Sequence, residues 1–127
     1  MIPFHLTLAT SNSVQVDAEL AVVRESASTI SLDGQSGFAL ALAPLAMKAC
    51  IAKAAETGIC LTTVRASNPF RIAGAYARMA AERGLGGIAM MNASPLVVPT
   101  FGRAAKLGTN LIAFAAPRSD SAIIPRP

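Results

Sequence analysis

Residues 66–74, with the sequence ASNPFRIAG, place polar side chains where a predicted strand gives way to a predicted helix. Such turns often carry ligand-binding or catalytic groups in α/β proteins. Arg71 is suited to a phosphate, because the amide groups of a helix N-terminus already favour anions. Pro69 has no titratable group, but proline is favoured at the first position of a helix and Asn68 suits the N-cap before it. A ligand-binding turn and a plain helix start are both open interpretations.

Most other kinds of catalytic site find no support in the sequence. His5 is the only histidine, so neither a Ser-His-Asp triad nor a zinc site with Cys50 and Cys60 is expected. We predict two free thiols and no metal. The glycines of residues 33–37 (DGQSG) have G-x-x-G spacing, which does not meet the dinucleotide pattern G-x-G-x-x-G. The carboxylates form no evident pair for acid/base catalysis.

The composition is rich in apolar residues and poor in charge. Hydrophobic residues make up 53% and charged residues 14% of the chain, against about 45–50% and about 25% in ordinary soluble domains. The net charge of +4 is spread along the chain without a basic cluster, and Tyr76 is the single tyrosine beside no tryptophan. We therefore expect no nucleic-acid partner and no membrane span. A surface this apolar is expected to be covered by a partner subunit or by further chain.

The spacing of apolar residues and turn signals predicts the order ββαβαββ. The predicted strands are 18–24, 29–32, 59–66, 87–93 and 110–117, and the predicted helices are a stretch ending near Thr57 and residues 74–83. Pro44 lies inside the first helical stretch, which either begins there or kinks there. Gly58 and Gly84 are predicted helix stops. Strands and helices alternate in the middle of the chain, so we expect an α/β fold with a mostly parallel or mixed sheet and helices packed on it.

Four short motifs, in this order along the chain, add a specific resemblance. They are D-G-x-x-G at 33–37, S-N-x-F-x-x-A-G at 67–74, N-A-S-P-L-V-x-P at 92–99 and G-T-N at 108–110. Together these motifs resemble the malate/L-lactate dehydrogenase family. Its members are NAD(P)-dependent oxidoreductases of 2-hydroxy and 2-oxo acids that do not use a Rossmann fold.

The resemblance covers about residues 17–118 and divides the chain into three parts. Residues 1–16 are an unmatched tail, residues 17–118 resemble the central part of the oxidoreductase domain, and residues 119–127 form a second tail. The resemblance implies a partial copy of the family fold, because members are much longer chains.

The resemblance also implies a cofactor, a substrate class and a set of binding residues. NAD or NADP would be the cofactor, and a 2-oxo or 2-hydroxy acid the small-molecule substrate. Phe70, Arg71, Ala93 and Ser94 match positions near the cofactor in relatives. For Arg71 and Ser94 a plain solvated turn residue is the competing interpretation. We further expect a cytoplasmic homodimer, or a chain completed by segments missing here.

Two departures from the family pattern bear on activity. In the family the turn typically reads S-x-H-F-G, and its histidine is the proposed proton donor or acceptor; this sequence has Pro69 at that position and Arg71 at the glycine position. Leu111 replaces the proline of the family's G-T-N-P. Hydride transfer to a 2-oxo acid leaves negative charge on oxygen, and a positioned proton donor typically contributes about 10²–10⁴-fold. We therefore predict no intact catalytic residue and impaired or no activity, with a non-catalytic binding or dimerisation module as the alternative.

Overall fold

The structure, a computed structural model, describes residues 19–68 and 72–118. Its elements are β1 (Ala21–Glu25), β2 (Thr29–Gly37), α1 (Ala39–Thr57), β3 (Leu61–Ser67), α2 (Ala73–Ala81), β4 (Gly87–Met90) and β5 (Ile112–Ala115). This order confirms the predicted ββαβαββ arrangement and the α/β fold class. His5 and the turn residues Pro69, Phe70 and Arg71 lie outside the described residues.

The described strands form two sheets. In the first, of order β1-β2-β3, β1 pairs antiparallel with β2, whereas β2 pairs parallel with β3, so the sheet is mixed. In the second, β4 and β5 pair antiparallel. The parallel pair is connected by α1, since parallel neighbours need a crossover of this length.

Strand β2 extends further than the sequence predicts. Ile30 and Leu32 are buried on one face, as their alternation with polar residues predicts. The predicted strand ends at residue 32, but β2 continues to Gly37 with a break in register between Asp33 and Gly37. Gln35 and Ser36 have positive φ angles within this break. The segment is therefore an irregularity inside the strand, because pairing with β3 resumes at Gly37.

Helix α1 packs against the hydrophobic cores of both sheets. It is one continuous helix that starts at Ala39, so it does not begin at Pro44. Ala46 joins Ile30 and Leu32 in the core beneath the first sheet, while Ala43 and Met47 pack against the core formed by α2 and the second sheet. The helix ends at Gly58, as predicted. Gly58 adopts φ 84° and donates its amide to the carbonyl of Ala54 at 2.8 Å.

Helix α2 covers one face of the second sheet at very close range. Ala73, Tyr76 and Ala77 form a core with Ala89 of β4. A side chain at Gly87 would overlap the carbonyl oxygen of Ala77, so this glycine allows the close approach. The helix is shorter than the predicted 74–83 at its C-terminal end, and Gly84 (φ 79°) lies in the turn that follows it.

Strands β4 and β5 are also shorter than predicted. After Met90 the backbone makes a last bond, from the amide of Met91 to the carbonyl of Leu111, and the next amide pairing is with a side chain. Regular pairing therefore stops before the predicted position 93. No helix among the described residues is long and apolar enough to cross a membrane.

Candidate functional site

The first two family-like motifs meet at the carboxyl ends of β2 and β3. Gly37 is the register partner of Ser67. Asn68 donates its backbone amide to the carbonyl of Gly37 at 3.4 Å and its side-chain amide to the carbonyl of Ser36 at 3.2 Å. A Cβ at Gly34 would lie 3.1 Å from that of Ser67, so the glycine keeps the two segments in close contact. We call residues 33–37 with residues 67–68 cluster I.

An ion pair joins Asp33 of cluster I to Arg65 of β3. Asp33 and Arg65 are register partners on β2 and β3, and Arg65 Nη2 lies 2.9 Å from Asp33 Oδ2. The other carboxylate oxygen, Oδ1, accepts the backbone amide of Gln35 at 2.8 Å. This amide bond, and to a smaller extent Arg65, lowers the pKa of Asp33, with partial desolvation opposing the effect. Asp33 is therefore ionised at neutral pH and cannot serve as a proton donor there.

The remaining two motifs meet at the end of the second sheet. Asn110 Oδ1 accepts the backbone amide of Ala93 at 2.9 Å. Gly108 packs against the carbonyl of Ala93 so closely that a Cβ would overlap the carbonyl oxygen. Asn110 itself adopts a positive φ of 38°, a conformation that asparagine tolerates better than most residues. We call residues 92–95 with residues 108–110 cluster II.

Cluster II offers limited polar chemistry toward a ligand. The amide of Ala93 is already bound to Asn110, and its side chain is apolar, so Ala93 can contribute a methyl contact. Ser94 is exposed, and its hydroxyl can donate or accept one hydrogen bond. Asn92 is likewise exposed. Ala93 and Ser94 follow β4, whereas Phe70 and Arg71 fall outside the described residues and are not placed relative to them.

Asn68, whose residue type suits an N-cap, is not the N-cap of helix α2. Helix α2 begins at Ala73, and its N-cap is Ile72, which has a left-handed backbone (φ 63°) and makes no side-chain cap bond. The side chain of Asn68 instead bonds to Ser36 on the neighbouring strand. Asn68 therefore ties the two motifs of cluster I together.

Both cysteines are free thiols, as predicted. Cys50 Sγ donates to the carbonyl of Cys60 at 3.4 Å, and burial is the main cause that raises the pKa of the Cys50 thiol. Burial also raises the pKa of Tyr76. Among residues 19–68 and 72–118, no group of three or more His, Cys, Asp and Glu side chains could hold a metal ion.

Sequence reasoning missed the contacts made by Asn110, Arg65 and Lys53. The side chain of Lys53 on α1 is only 17% exposed, and it bonds Glu25 at 2.6 Å and the carbonyl of Ser26 at 2.9 Å. The sequence places Asn110 in the G-T-N motif but gives no role for its side chain. The available signal was the asparagine after Gly108–Thr109, since Gly and Asn together indicate a turn with unusual φ angles.

Comparison with known proteins identifies clear relatives. The family model for malate/L-lactate dehydrogenase matches residues 1–124, beyond the 17–118 segment on which the resemblance was based. Malate dehydrogenase of Pyrococcus abyssi is 48% identical over 107 residues, which are 84% of this chain and 30% of that protein. The NADP(+)-dependent (2R)-3-sulfolactate dehydrogenase of Chromohalobacter salexigens is 35% identical over 117 residues, 92% of this chain and 35% of that protein.

Solved structures give the same result for the fold. The structure of malate dehydrogenase from Pyrococcus horikoshii OT3 matches with a TM-score of 0.80 at 45% sequence identity. The match covers 88% of this chain and 32% of the Pyrococcus chain. The chain therefore spans about a third of the length of the relatives it matches.

Proposed function

Because the chain belongs to the malate/L-lactate dehydrogenase family, we propose that it forms the central part of an NAD(P)-dependent oxidoreductase. The reaction is hydride transfer between nicotinamide and a 2-hydroxy or 2-oxo acid. The observation that carries the proposal is the pairing of all four family-like motifs into clusters I and II, on a fold shared with malate dehydrogenase. We place the domain part at residues 17–118.

The described residues supply only part of a cofactor site. A bound nicotinamide would supply or accept the hydride. Toward such a group, cluster II contributes the methyl of Ala93 and the exposed hydroxyl of Ser94, and the Ala93 amide is already engaged by Asn110. These groups do not by themselves fit a complete dinucleotide, because its phosphates need several convergent donors.

A proton donor is also missing from the described residues near cluster I. Asp33 is held ionised by Gln35 and Arg65, and Pro69 stands where the family has a histidine. Hydride transfer to a carbonyl then leaves an oxyanion without a positioned acid, which costs about 10²–10⁴-fold in rate. We therefore propose that the chain alone has impaired or no activity.

Nicotinamide absorbance tests this proposal directly. The 127-residue chain is assayed with NADH and with NADPH against pyruvate, oxaloacetate and sulfopyruvate. The Pro69→His, Arg71→Gly double variant, which returns the family's turn residues, serves as the matched comparison. We expect negligible turnover by the unchanged chain. Turnover at the rate of an ordinary dehydrogenase would contradict impaired activity, and cofactor binding without turnover would support a surviving site.

A non-catalytic binding or dimerisation module is the second candidate function. It is favoured by the exposure of large apolar side chains, including Ile112 at 75% and Phe114 at 70%. A well-folded monomer by light scattering at high concentration would count against dimerisation. In either case we propose a cytoplasmic location, because two free thiols suit a reducing compartment.

A further inference from the structure

The second sheet has one covered face and one bare face. Ala89 of β4 packs under α2, together with Ala113 and Ala115 of β5. The alternate residues point the other way and form two register pairs, Ile88 with Phe114 and Met90 with Ile112. Their exposed fractions are 56%, 70%, 60% and 75%, in that order. We call these four residues the β4–β5 face.

Among the described residues, exposed large apolar side chains outnumber buried ones, and four of the exposed ones form the β4–β5 face. The described residues bury only five apolar side chains larger than alanine: Ile30, Leu32, Leu42, Ile51 and Tyr76. Seventeen large apolar side chains in the same described segments are exposed. A contiguous bare apolar surface marks an interaction site in a soluble protein.

The backbone edges of the sheet point to a polypeptide as the occupant. Among the described residues, β4 and β5 have only each other as hydrogen-bonded neighbours. Each strand therefore has an outer edge that a further strand can pair with. The occupant must supply apolar side chains for the face, and it can supply backbone groups for the edges.

The relatives indicate which polypeptide this is. The same fold is embedded in the Pyrococcus horikoshii chain with a TM-score of 0.80, but it accounts for only 32% of that chain. The other two thirds are available to cover what is bare here. A second copy of this chain is the less suitable occupant, because each copy has a net charge of +4 and the β4–β5 face has no charged side chain to offset the repulsion.

We propose that the β4–β5 face is the docking surface for the part of a family-length polypeptide that lies outside the matched third. Ile88 and Phe114 form one pair of anchors, and Met90 and Ile112 form the other. The proposal concerns assembly and is independent of catalysis, so its tests need no activity assay.

Co-expression tests the proposal. The tagged 127-residue chain is produced with Pyrococcus horikoshii malate dehydrogenase from which the matched segment has been deleted. We expect the two polypeptides to copurify. The Ile88→Ser, Phe114→Ser double variant should reduce the captured amount by at least about tenfold. The matched control is Val22→Ser, Val23→Ser on β1, where the exposed fractions are 60% and 50%; it should capture as much as the unchanged chain.

Oxidation of Met90 provides a second measurement that does not depend on the deleted enzyme folding. In a chimera, the residues of this chain that match the Pyrococcus enzyme replace the matched segment of that enzyme. Peroxide oxidation of Met90 is then followed by mass spectrometry in the chimera and in the chain alone. We expect several-fold slower oxidation in the chimera than in the chain alone. Equal oxidation rates of Met90 in the chimera and in the chain alone would overturn the proposal. So would a β1 control that loses as much capture as the Ile88→Ser, Phe114→Ser variant. Protection of Met90 by self-association of the chain alone would also overturn it.

Discussion

The side chain of Asn110 closes the end of the second sheet by accepting the backbone amide of Ala93 at 2.9 Å. The two residues are 17 positions apart, and each belongs to a different family-like motif. The bond replaces the next backbone pairing after that of Met91 with Leu111. It fixes the chain direction just before Ser94, so one asparagine determines where the exposed hydroxyl of cluster II lies.

Replacing Asn110 by Ala is predicted to lower the free energy of unfolding by about 1–2 kcal/mol. The variant loses a hydrogen bond worth about 0.5–1.5 kcal/mol. It also places alanine, which tolerates the left-handed region less well than asparagine, at a positive φ. Urea denaturation measures the change. Asn110→Asp keeps the acceptor and should lose less. Asn110→Gly loses the acceptor without the φ strain, so equal stability of the Gly and unchanged proteins would show that the bond contributes nothing.

Gly108→Ala is predicted to destabilise the same end of the sheet by about 1–3 kcal/mol, the usual range for overpacking. The added methyl would overlap the carbonyl oxygen of Ala93. Gly86→Ala is the control, because a Cβ there meets nothing within 4 Å, and it should stay within about 0.5 kcal/mol. Thermal unfolding by circular dichroism compares the two. Similar midpoints for both variants would mean that the Ala93 carbonyl moves aside freely.

Local signals in the sequence were sufficient to predict the order and type of the helices and strands, though not all of their ends. Gly58 ends α1 because a left-handed residue is required there, and glycine adopts it without a Cβ penalty. Arg78 and Glu82 form an i,i+4 ion pair at 2.9 Å, as their spacing on a helix favours. In both cases the information lies within one turn of helix.

Contacts between distant segments could not be predicted in the same way. Asn68 followed by proline has the composition of a helix start, yet its side chain is drawn to the carbonyl of Ser36 on the adjacent strand. That partner is 32 positions away and becomes a neighbour only through the parallel pairing of β2 with β3. Asn110 is a similar case, because its acceptor role depends on the antiparallel pairing of β4 with β5.

The ionisation of Asp33 predicts an acid-sensitive contribution to stability. Its pKa is lowered below the ordinary value of 3.8 in the folded chain, so the stabilisation is present above the unfolded-state pKa and is lost as the pH falls through the folded-state pKa. Unfolding midpoints measured from neutral pH down to below 3.8 should decline. Asp33→Asn should show a shallower decline over the same acidic range. Parallel curves for the two proteins would show that this carboxylate is not the group responsible.

Lys53→Met is predicted to loosen the β1–β2 hairpin from α1 and to lower stability by about 1 kcal/mol. Lys53 Nζ bonds both Glu25 Oε1 and the carbonyl of Ser26 from a position that is only 17% exposed. Glu25→Gln removes the charge partner but leaves the Ser26 carbonyl, and the Glu25 side chain is 53% exposed, so its effect should be smaller. Added salt should weaken the unchanged protein toward the Glu25→Gln variant, because exposed ion pairs are screened. If urea denaturation shows that Glu25→Gln lowers the free energy of unfolding as much as Lys53→Met does, the ion pair rather than the bond to the Ser26 carbonyl anchors the hairpin.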